Sequence, residues 1–530
     1  QSSKASSRPK PPVVQSLQSP KAPKHPKPPS IQSPQASKAP TPHAPKRNAL
    51  ATKRCGTEPS QRFGVWVYPV DFFTKLQFRP MTAREFLRRY SKEKYSEDTR
   101  IVNGRFFPST PIGVDPGDTV GVVLMNLGGP DSPETVEPFL YNLFMDPAII
   151  DIPVGGVLRH WLCKLIASQR AKSVAEDYQE ITDDGGSPIN PLTRDQAEKL
   201  EANLNERFGG HAAGDGAPGV DFKTYIAMRY WKPFSEEAAA QMQADGVDKV
   251  VLLPLYPQYS KTTTGASFSY WKELEHAGEI PAWPTTFVFE YAAYPKYVQA
   301  LSERIDEGLQ RFPEEVRDDV HFLFSAHGTP TKEMKQRRDP YCCLVHSTVK
   351  QVMEHRGFDH NFDVAFQSKV GPAEWLTPAT DETVEELAEE DKAVLVIPVA
   401  FVTDHIETSY ELAIEIPEEL EEEGIEPPEH YEVMPALNSH PKFIETLADV
   451  TAAQLQLPGQ DTGAPWSSRP SYQTKDRQIR CHQCERIAEA TCWTCPNARG
   501  DGARTEDLPE PARAETPEAG DGAATTPTES

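Results

Sequence analysis

The sequence predicts an α/β protein whose parallel sheets are flanked by helices and divided between two lobes. Three observations carry this. Short apolar runs alternate with stretches of helical spacing through the middle of the chain, as repeated βα units do. The apolar runs are continuous rather than alternating, as strands buried on both faces require. The alternation extends over about 340 residues, and single cores stop growing at ~250–300 residues.

The first strand is the run VGVVLMNL (120–127), so folded sequence is expected from about Gly121. GGPDSP follows. Ser132 suits a helix N-cap and Pro133 the first helical position, with the helix continuing through Phe139, Leu140, Leu143 and Phe144. Further strands are expected at 222–228, 249–255, 285–290, 320–325, 362–367, 393–400 and 431–436. Helical spacing fills most intervals, for example 294–311, 341–355 and 441–455. A linker rich in Ser, Thr, Gln and Pro spans 458–480, and the acidic tail 496–530 reads as disordered.

The 530 residues are 38% hydrophobic and include 51 prolines, so part of the chain is expected to stay unpacked. The formal charge of −23 is uneven: residues 1–60 hold eleven Lys or Arg and one acid, Glu58, which leaves −33 on the rest. That acidic body excludes broad nucleic-acid binding. No run approaches ~18 apolar residues, so no transmembrane helix is expected. Segment 1–60, rich in Ser, Pro, Lys and Gln, has no strand or helix period and is expected to be disordered, with a tethering tail or a transit peptide as alternatives. Residues 61–117 form an N-terminal extension. Within it Met81 is an alternative start, because helical spacing (Phe86, Leu87, Tyr90) follows it.

A dinucleotide fold wants G-x-G-x-x-G after its first strand. This chain has Asn126, Leu127, Gly128, Gly129 and Pro130 there, with no third glycine at that spacing and no P-loop lysine. The reading is a tight strand-to-helix turn without a nucleotide. SAHGTP (325–330) is more informative. It follows VHFLF, so His327 lies at the carboxyl end of a parallel strand, where open α/β sheets place ligands. A neutral imidazole there binds a metal or accepts a proton; a plain hydrogen-bonded loop histidine is the alternative.

The segment VTDHIETSYELAIEIPEELEEE (402–423) follows the strand AVLVIPVAF. Asp404 and His405 open it, and Glu407, Glu411 and Glu415, spaced i, i+4, i+8, line one face of a helix. Such carboxylates repel unless a cation or water lies between them. Ile406, Tyr410, Leu412, Ile414 and Ile416 surround them, so the proximal part is expected to be partly buried and functional, and Glu418–Glu423 solvated. His327 and Glu407 would face each other across a cleft in one lobe. An imidazole and a carboxylate suit a borderline ion such as Fe2+, and two protein ligands hold it loosely enough to pass it on.

Cys481, Cys484, Cys492 and Cys495 form C-x2-C-x7-C-x2-C, a strong metal signal. Four thiolates hold Zn2+ or a [2Fe–2S] cluster. Metal spacing rather than disulfides suits a reducing compartment, so a cytoplasmic location is expected. Between Val154 and Arg170 an amphipathic stretch places Val154, Val157, Leu158, Trp161, Leu162, Leu165 and Ile166 on one face, and Arg159, Lys164 and Arg170 elsewhere. It is either a core-facing helix or a helix lying on a bilayer surface.

Eight ordered motifs then resemble the ferrochelatase family: LMNLGGPDS (124–132), GGSPIN (185–190), MRYWKPF (228–234), YPQYSKTTTG (256–265), SAHGTP (325–330), DPY (339–341), QSKVGPAEWL (367–376) and AFVTDHIETSYEL (400–412). The resemblance covers about residues 120–456. It implies two Rossmann-like lobes, here 118–312 and 313–436, with a C-terminal helix (437–457) packing back on the first and a porphyrin in the cleft between them. It implies insertion of Fe2+ into a porphyrin, protoporphyrin favoured, to form haem with release of two protons. His327 takes the active-site histidine's place, in proton abstraction or metal handling. Glu407 is its paired metal or proton residue, and Glu411 and Glu415 continue an acidic path for Fe2+ entry or proton exit. Arg229 and Tyr230 belong to the pocket floor. Arg170, Tyr178 and Ser187 match porphyrin contacts, although two extra residues precede Ser187. Asp449 matches a further position implicated in catalysis. The 154–170 stretch matches a hydrophobic lip that can touch a membrane. In the animal pattern a cysteine stands where this chain has Lys261, so any cluster ligands must come from 481–495. The alternatives are a cobalt or nickel chelatase of related fold and a non-catalytic porphyrin or haem carrier; a carrier has no need of both His327 and the carboxylate row.

Overall fold

Two four-stranded sheets with the same strand order frame the molecule. The structure, a computed structural model, describes residues 111–457 apart from 148, 150–155, 210–218, 336–338, 340, 370 and 372. Segment 1–60, most of the extension, the linker, the four cysteines and the acidic tail lie outside the described residues. The described chain opens with β1 (Ile112–Gly113), which pairs in parallel with β10 (Leu455–Gln456), so it is folded before Gly121. The first sheet orders β2 (Thr119–Asn126), β3 (Asp221–Met228), β4 (Lys249–Pro254) and β5 (Thr285–Phe287) as β3-β2-β4-β5. The second orders β6 (His321–His327), β7 (Phe362–Gln367), β8 (Val394–Pro398) and β9 (Tyr431–Val433) as β7-β6-β8-β9. Every neighbouring pair in both is parallel.

Successive strand residues face opposite ways, and the cores follow that alternation. Val122 and Leu124 of β2 join Phe322 and Phe324 of β6 in one central core shared by both lobes. Val123 and Met125 face an outer core of lobe 1, and Leu323 faces an outer core of lobe 2. A chain this long thus packs around a shared centre with a separate cover on each outer face.

The first crossover opens with a 3-10 turn, Pro133–Thr135, before α1 (Val136–Met145). Pro133 sits where no N–H is needed, and the Ser132 N–H donates to the Thr135 hydroxyl at 3.0 Å. α2 (Gly156–Ile181), α3 (Ile189–Phe208), α4 (Ser235–Ala244), α5 (Thr264–Ala277) and α6 (Pro295–Leu309) complete the lobe 1 helices. Lobe 2 adds α7 (Thr331–Lys335), α8 (Tyr341–His355), α9 (Thr380–Glu389) and α10 (Ile416–Glu423), and α11 (Pro441–Ala452) packs on α3 and α6.

Several further expectations need correction, among them β5, which ends at Phe287 rather than at 290. β9 stops at Val433 rather than at 436 because the chain turns away to clasp another loop: the Ala436 N–H donates to Asp404 Oδ1 at 2.8 Å. Segment 402–423 is not one α-helix, since Glu407–Glu415 is a π-helix that tightens into α10 only at Ile416. Pro417 has no N–H to continue an α-helical ladder backwards, and wider turns of this kind are frequent at functional sites. Another concerns α2. Of its two readings, core-facing or bilayer-facing, the first fails for most of the apolar row: Val157, Leu158, Trp161 and Leu165 are exposed, while Ile166 packs against the outer core of lobe 1. Arg159, placed off that row, is buried along with Cys163 and Ala167, and its guanidinium donates to the carbonyls of Phe144 (3.0 Å) and Met145 (3.2 Å) at the end of α1. Those orphan carbonyls need donors, and α2 supplies them from the Arg159 guanidinium and from the Cys163 thiol, which donates to the Phe144 carbonyl at 3.2 Å.

Candidate active site

His327 ends β6, and the π-helix carrying Glu407 follows β8. These two strands are neighbours whose connections leave in opposite directions, to β7 on one side and β9 on the other. That is the switch point at which open parallel sheets bind ligands. His327 Nδ1 lies 2.6 Å from the Gly328 carbonyl oxygen. A carbonyl only accepts, so in the neutral ring Nδ1 carries the hydrogen and Nε2 keeps its lone pair. The Tyr341 hydroxyl donates to the His327 carbonyl at 3.0 Å. Gly328 itself has no room for a side chain: a Cβ there would come within 2.7 Å of the Gln367 carbonyl oxygen.

Glu407 Oε2 lies 2.7 Å from His405 Nε2, and both side chains are largely buried. Burial works to raise the Glu407 carboxyl, but the His405 imidazolium outweighs it and holds the carboxyl well below its ordinary range. The same pairing raises His405 against a burial effect that works to lower it. Glu411 is pushed the other way, first by burial and then by the Glu407 charge. It accepts from the Ser368 hydroxyl at 2.6 Å and from Gln367 Nε2 at 3.2 Å, and Ser368 holds a left-handed backbone (φ 63°) to reach it. Glu415, half-buried, is pushed up to about 7 by burial and by the charges of Glu411, Glu419 and Asp177. One ionised carboxylate is therefore followed by two that hold protons more readily, as a proton path requires.

Lobe 1 faces this row with aromatic and internally paired groups. Asp146 Oδ2 takes the Arg229 guanidinium at 2.6 Å and the Tyr230 hydroxyl at 2.9 Å, all buried. The guanidinium also lies over the Tyr270 ring at 4.8 Å. Tyr178 is buried on α2, which packs against the π-helix; burial, then the Glu407 charge, raises its hydroxyl. Ser187 lies beside Tyr178 and against Gly129, where a Cβ would meet the Ser187 Cβ at 2.3 Å. The Gly129 N–H donates to Asn190 Oδ1 at 3.3 Å, so the glycine turn is filled by packing and side-chain bonds. Arg170 is exposed at the outer end of the row, where its charge acts on Asp177 and Glu415.

The structure thus gathers His327, Glu407, Glu411, Glu415, Tyr178, Ser187, Arg229 and Tyr230, with Arg170 at the rim. It does not gather Asp449. That carboxylate, on α11, binds Arg207 and Lys296 and accepts from the Tyr294 hydroxyl at 3.0 Å. There it ties α11 to α3 and α6. Sequence reasoning gave no role to His405, Gln367, Ser368 or Tyr256. The D-H-I-E spacing signals His405, and QSK at a strand end signals Gln367 and Ser368. Tyr256, inside YPQYSKTTTG, is raised by burial and feels both Arg229 and Glu407, so it stands between the two lobes' charges. Among the described residues no group of three or more His, Cys, Asp or Glu could hold a metal. The four spaced cysteines lie outside them, and Lys261, buried, offers no thiolate.

The family model described as Ferrochelatase matches residues 119–455. A protein named ferrochelatase from Synechococcus elongatus is 42% identical over 341 residues, covering 64% of this chain and 83% of its own. Another of that name, from Gloeobacter violaceus, is 41% identical over 338 residues, covering 63% of this chain and 98% of its own. Among solved structures, one described as SirB from Bacillus subtilis with Fe3+ superposes with a TM-score of 0.34 at 12% identity, over 62% of this chain and 93% of its own. On the family match and the two curated relatives, the chain belongs to the ferrochelatase family.

Proposed function

We propose that this chain inserts Fe2+ into protoporphyrin, forming haem and releasing two protons, with His327 and Glu407 as the residues that act on the ring centre. The observation that carries this reading is the pairing of a fixed imidazole lone pair with an ionised carboxylate at one switch point. A free porphyrin holds two N–H protons at its centre, and no metal enters until both leave. His327 Nε2 accepts one of them. Glu407, kept ionised by His405, presents the ferrous ion or takes the second proton, and Glu411 and Glu415 pass it outward. Arg229, Tyr230, Tyr178 and Ser187 form the floor and wall that hold the macrocycle. Fe2+ is substrate here.

Protoporphyrin is favoured over coproporphyrin because the floor's one buried guanidinium is already bound to Asp146, and the neighbouring lip is apolar. A tetracarboxylate asks for more cations than that. The lip also suits contact with a bilayer surface, with Lys164 and Arg170 exposed on the same helix. The four cysteines of 481–495 are read as a [2Fe–2S] site, with Zn2+ as the alternative, in a cytoplasmic protein. Anaerobically purified protein with absorption at roughly 330–550 nm that bleaches with dithionite supports the cluster; colourless protein favours zinc.

The deciding experiment is anaerobic insertion by His327→Ala beside a porphyrin-binding titration. Insertion is expected to vanish while binding persists. Wild-type insertion by that variant overturns the assignment, and binding without insertion by the unaltered protein favours a carrier.

A further inference from the structure

A buried carboxylate that the insertion chemistry does not use links the two lobes. Asp339 is fully buried. Its Oδ2 accepts from the Ser260 hydroxyl at 2.9 Å and the Lys261 N–H at 2.8 Å, both in the loop after β4 of lobe 1. Its Oδ1 accepts from the Tyr341 N–H at 3.0 Å, at the first residue of α8 in lobe 2. Tyr341 then donates its hydroxyl to the His327 carbonyl at 3.0 Å. One carboxylate and one phenol therefore connect the backbone of lobe 1 to the backbone of the histidine.

A helix cap alone would need only the bond to Tyr341. The other two bonds reach 78 and 79 residues along the chain, into the other lobe. A buried carboxylate is tolerated only where donors satisfy it. Satisfying this one fixes the loop after β4 against the start of α8. The bond from Tyr341 then transmits that spacing to His327, whose side chain has its own tautomer set separately by Gly328.

We propose that Asp339 is a positioning residue for His327: through Tyr341 it fixes the histidine's place relative to lobe 1. The inference rests on the reading of His327 as the group that acts on the porphyrin. Asn at 339 would turn an amide donor toward either the Lys261 N–H or the Tyr341 N–H, so one of the three bonds must break. Phe at 341 removes only the hydroxyl and keeps the ring.

The test uses the full chain, Fe2+ and protoporphyrin under anaerobic conditions, with Tyr341→Phe, Asp339→Asn and the double variant. Tyr341→Phe is expected to lower kcat about tenfold with the porphyrin KM within about twofold and the melting temperature little changed. Asp339→Asn is expected to lose more, and the double variant to be no slower than Asp339→Asn, because both act through one chain of contacts. Wild-type kcat in Tyr341→Phe overturns the proposal. So do losses that multiply in the double variant, or a fall in melting temperature with unchanged kcat per folded molecule. Should Asp339→Asn fail to fold, Tyr341→Phe decides alone. Full insertion by His327→Ala would instead remove the reading of His327.

Discussion

The two sheets share one strand order, yet the groups at their carboxyl ends are treated in opposite ways. In lobe 1 the charges cancel locally: Asp146 takes both Arg229 and Tyr230, and Asn190 fills the glycine turn. In lobe 2 the carboxylates crowd: Glu407 has His405, but Glu411 next to it is pushed up by burial and by the Glu407 charge. A floor whose charges are already matched holds a large, mostly apolar ring without changing its own protonation. An edge with unequal carboxylates exchanges protons at small free-energy cost. On the proposed function, binding and chemistry are divided between two copies of one architecture.

Changes in lobe 2 should therefore strike turnover, and changes in lobe 1 should strike stability and binding. His327→Ala removes the lone pair altogether, and an insertion rate down by roughly 10³-fold is expected. Glu407→Gln keeps the shape and removes the charge; a loss of about 10²-fold in kcat at nearly constant porphyrin KM is expected, and an unchanged kcat would take Glu407 out of the reacting set. The matching change in lobe 1, Asp146→Asn, leaves the buried Arg229 charge without its partner. Breaking a buried pair from one side costs about 3 kcal/mol, so chemical denaturation should show a clear loss while kcat per folded molecule stays near wild type. A kcat loss equal to that of Glu407→Gln would erase the division between the lobes.

The Glu407–His405 pair adds a pH test. Glu407 is lowered from its ordinary 4.5, so its contribution is present above that value and lost as pH falls through the lowered one. His405 is raised from its ordinary 6.5, so its contribution is full below that value and lost as pH rises through the raised one. The pair therefore stabilises most between about pH 4.5 and 6.5. The melting-temperature gap between wild type and His405→Gln should be widest there and narrow on both sides. A gap that is flat with pH would mean that the pair is not ionised in the folded protein.

Much of this was legible in the sequence because strand ends are legible. Continuous apolar runs mark buried parallel strands, so the residue after each run falls at the ligand edge, and His327 and Glu407 followed at once. The π-helix was not legible: i, i+4 spacing fits α and π turns alike, and only the structure separates them. The surroundings of Asp449 were not legible either, because a family position says nothing about which helix a carboxylate faces. Its partners Arg207 and Lys296 are 242 and 153 residues away in sequence, and no local pattern pairs them. Asp339 escaped for the same reason, since its donors come from the other lobe.

The smallest effect separates the two faces of α2. A helix with an apolar row and scattered cations is normally read with the row inward, because burying a large apolar side chain gains about 1.5–3 kcal/mol. Here inward positions go to Arg159, Cys163 and Ala167, and the Arg159 guanidinium and the Cys163 thiol donate to the carbonyls at the end of α1. That leaves Trp161, 62% exposed, with little to lose from replacement. Trp161→Ser should shift stability by less than about 0.5 kcal/mol. If the exposed row serves as a contact with a bilayer, the same change should reduce co-sedimentation with anionic phospholipid vesicles, because an interfacial Trp anchors such a helix. Equal sedimentation of wild type and variant would leave the row as a wall of the porphyrin cleft alone, and then the variant's loss should appear in the porphyrin KM.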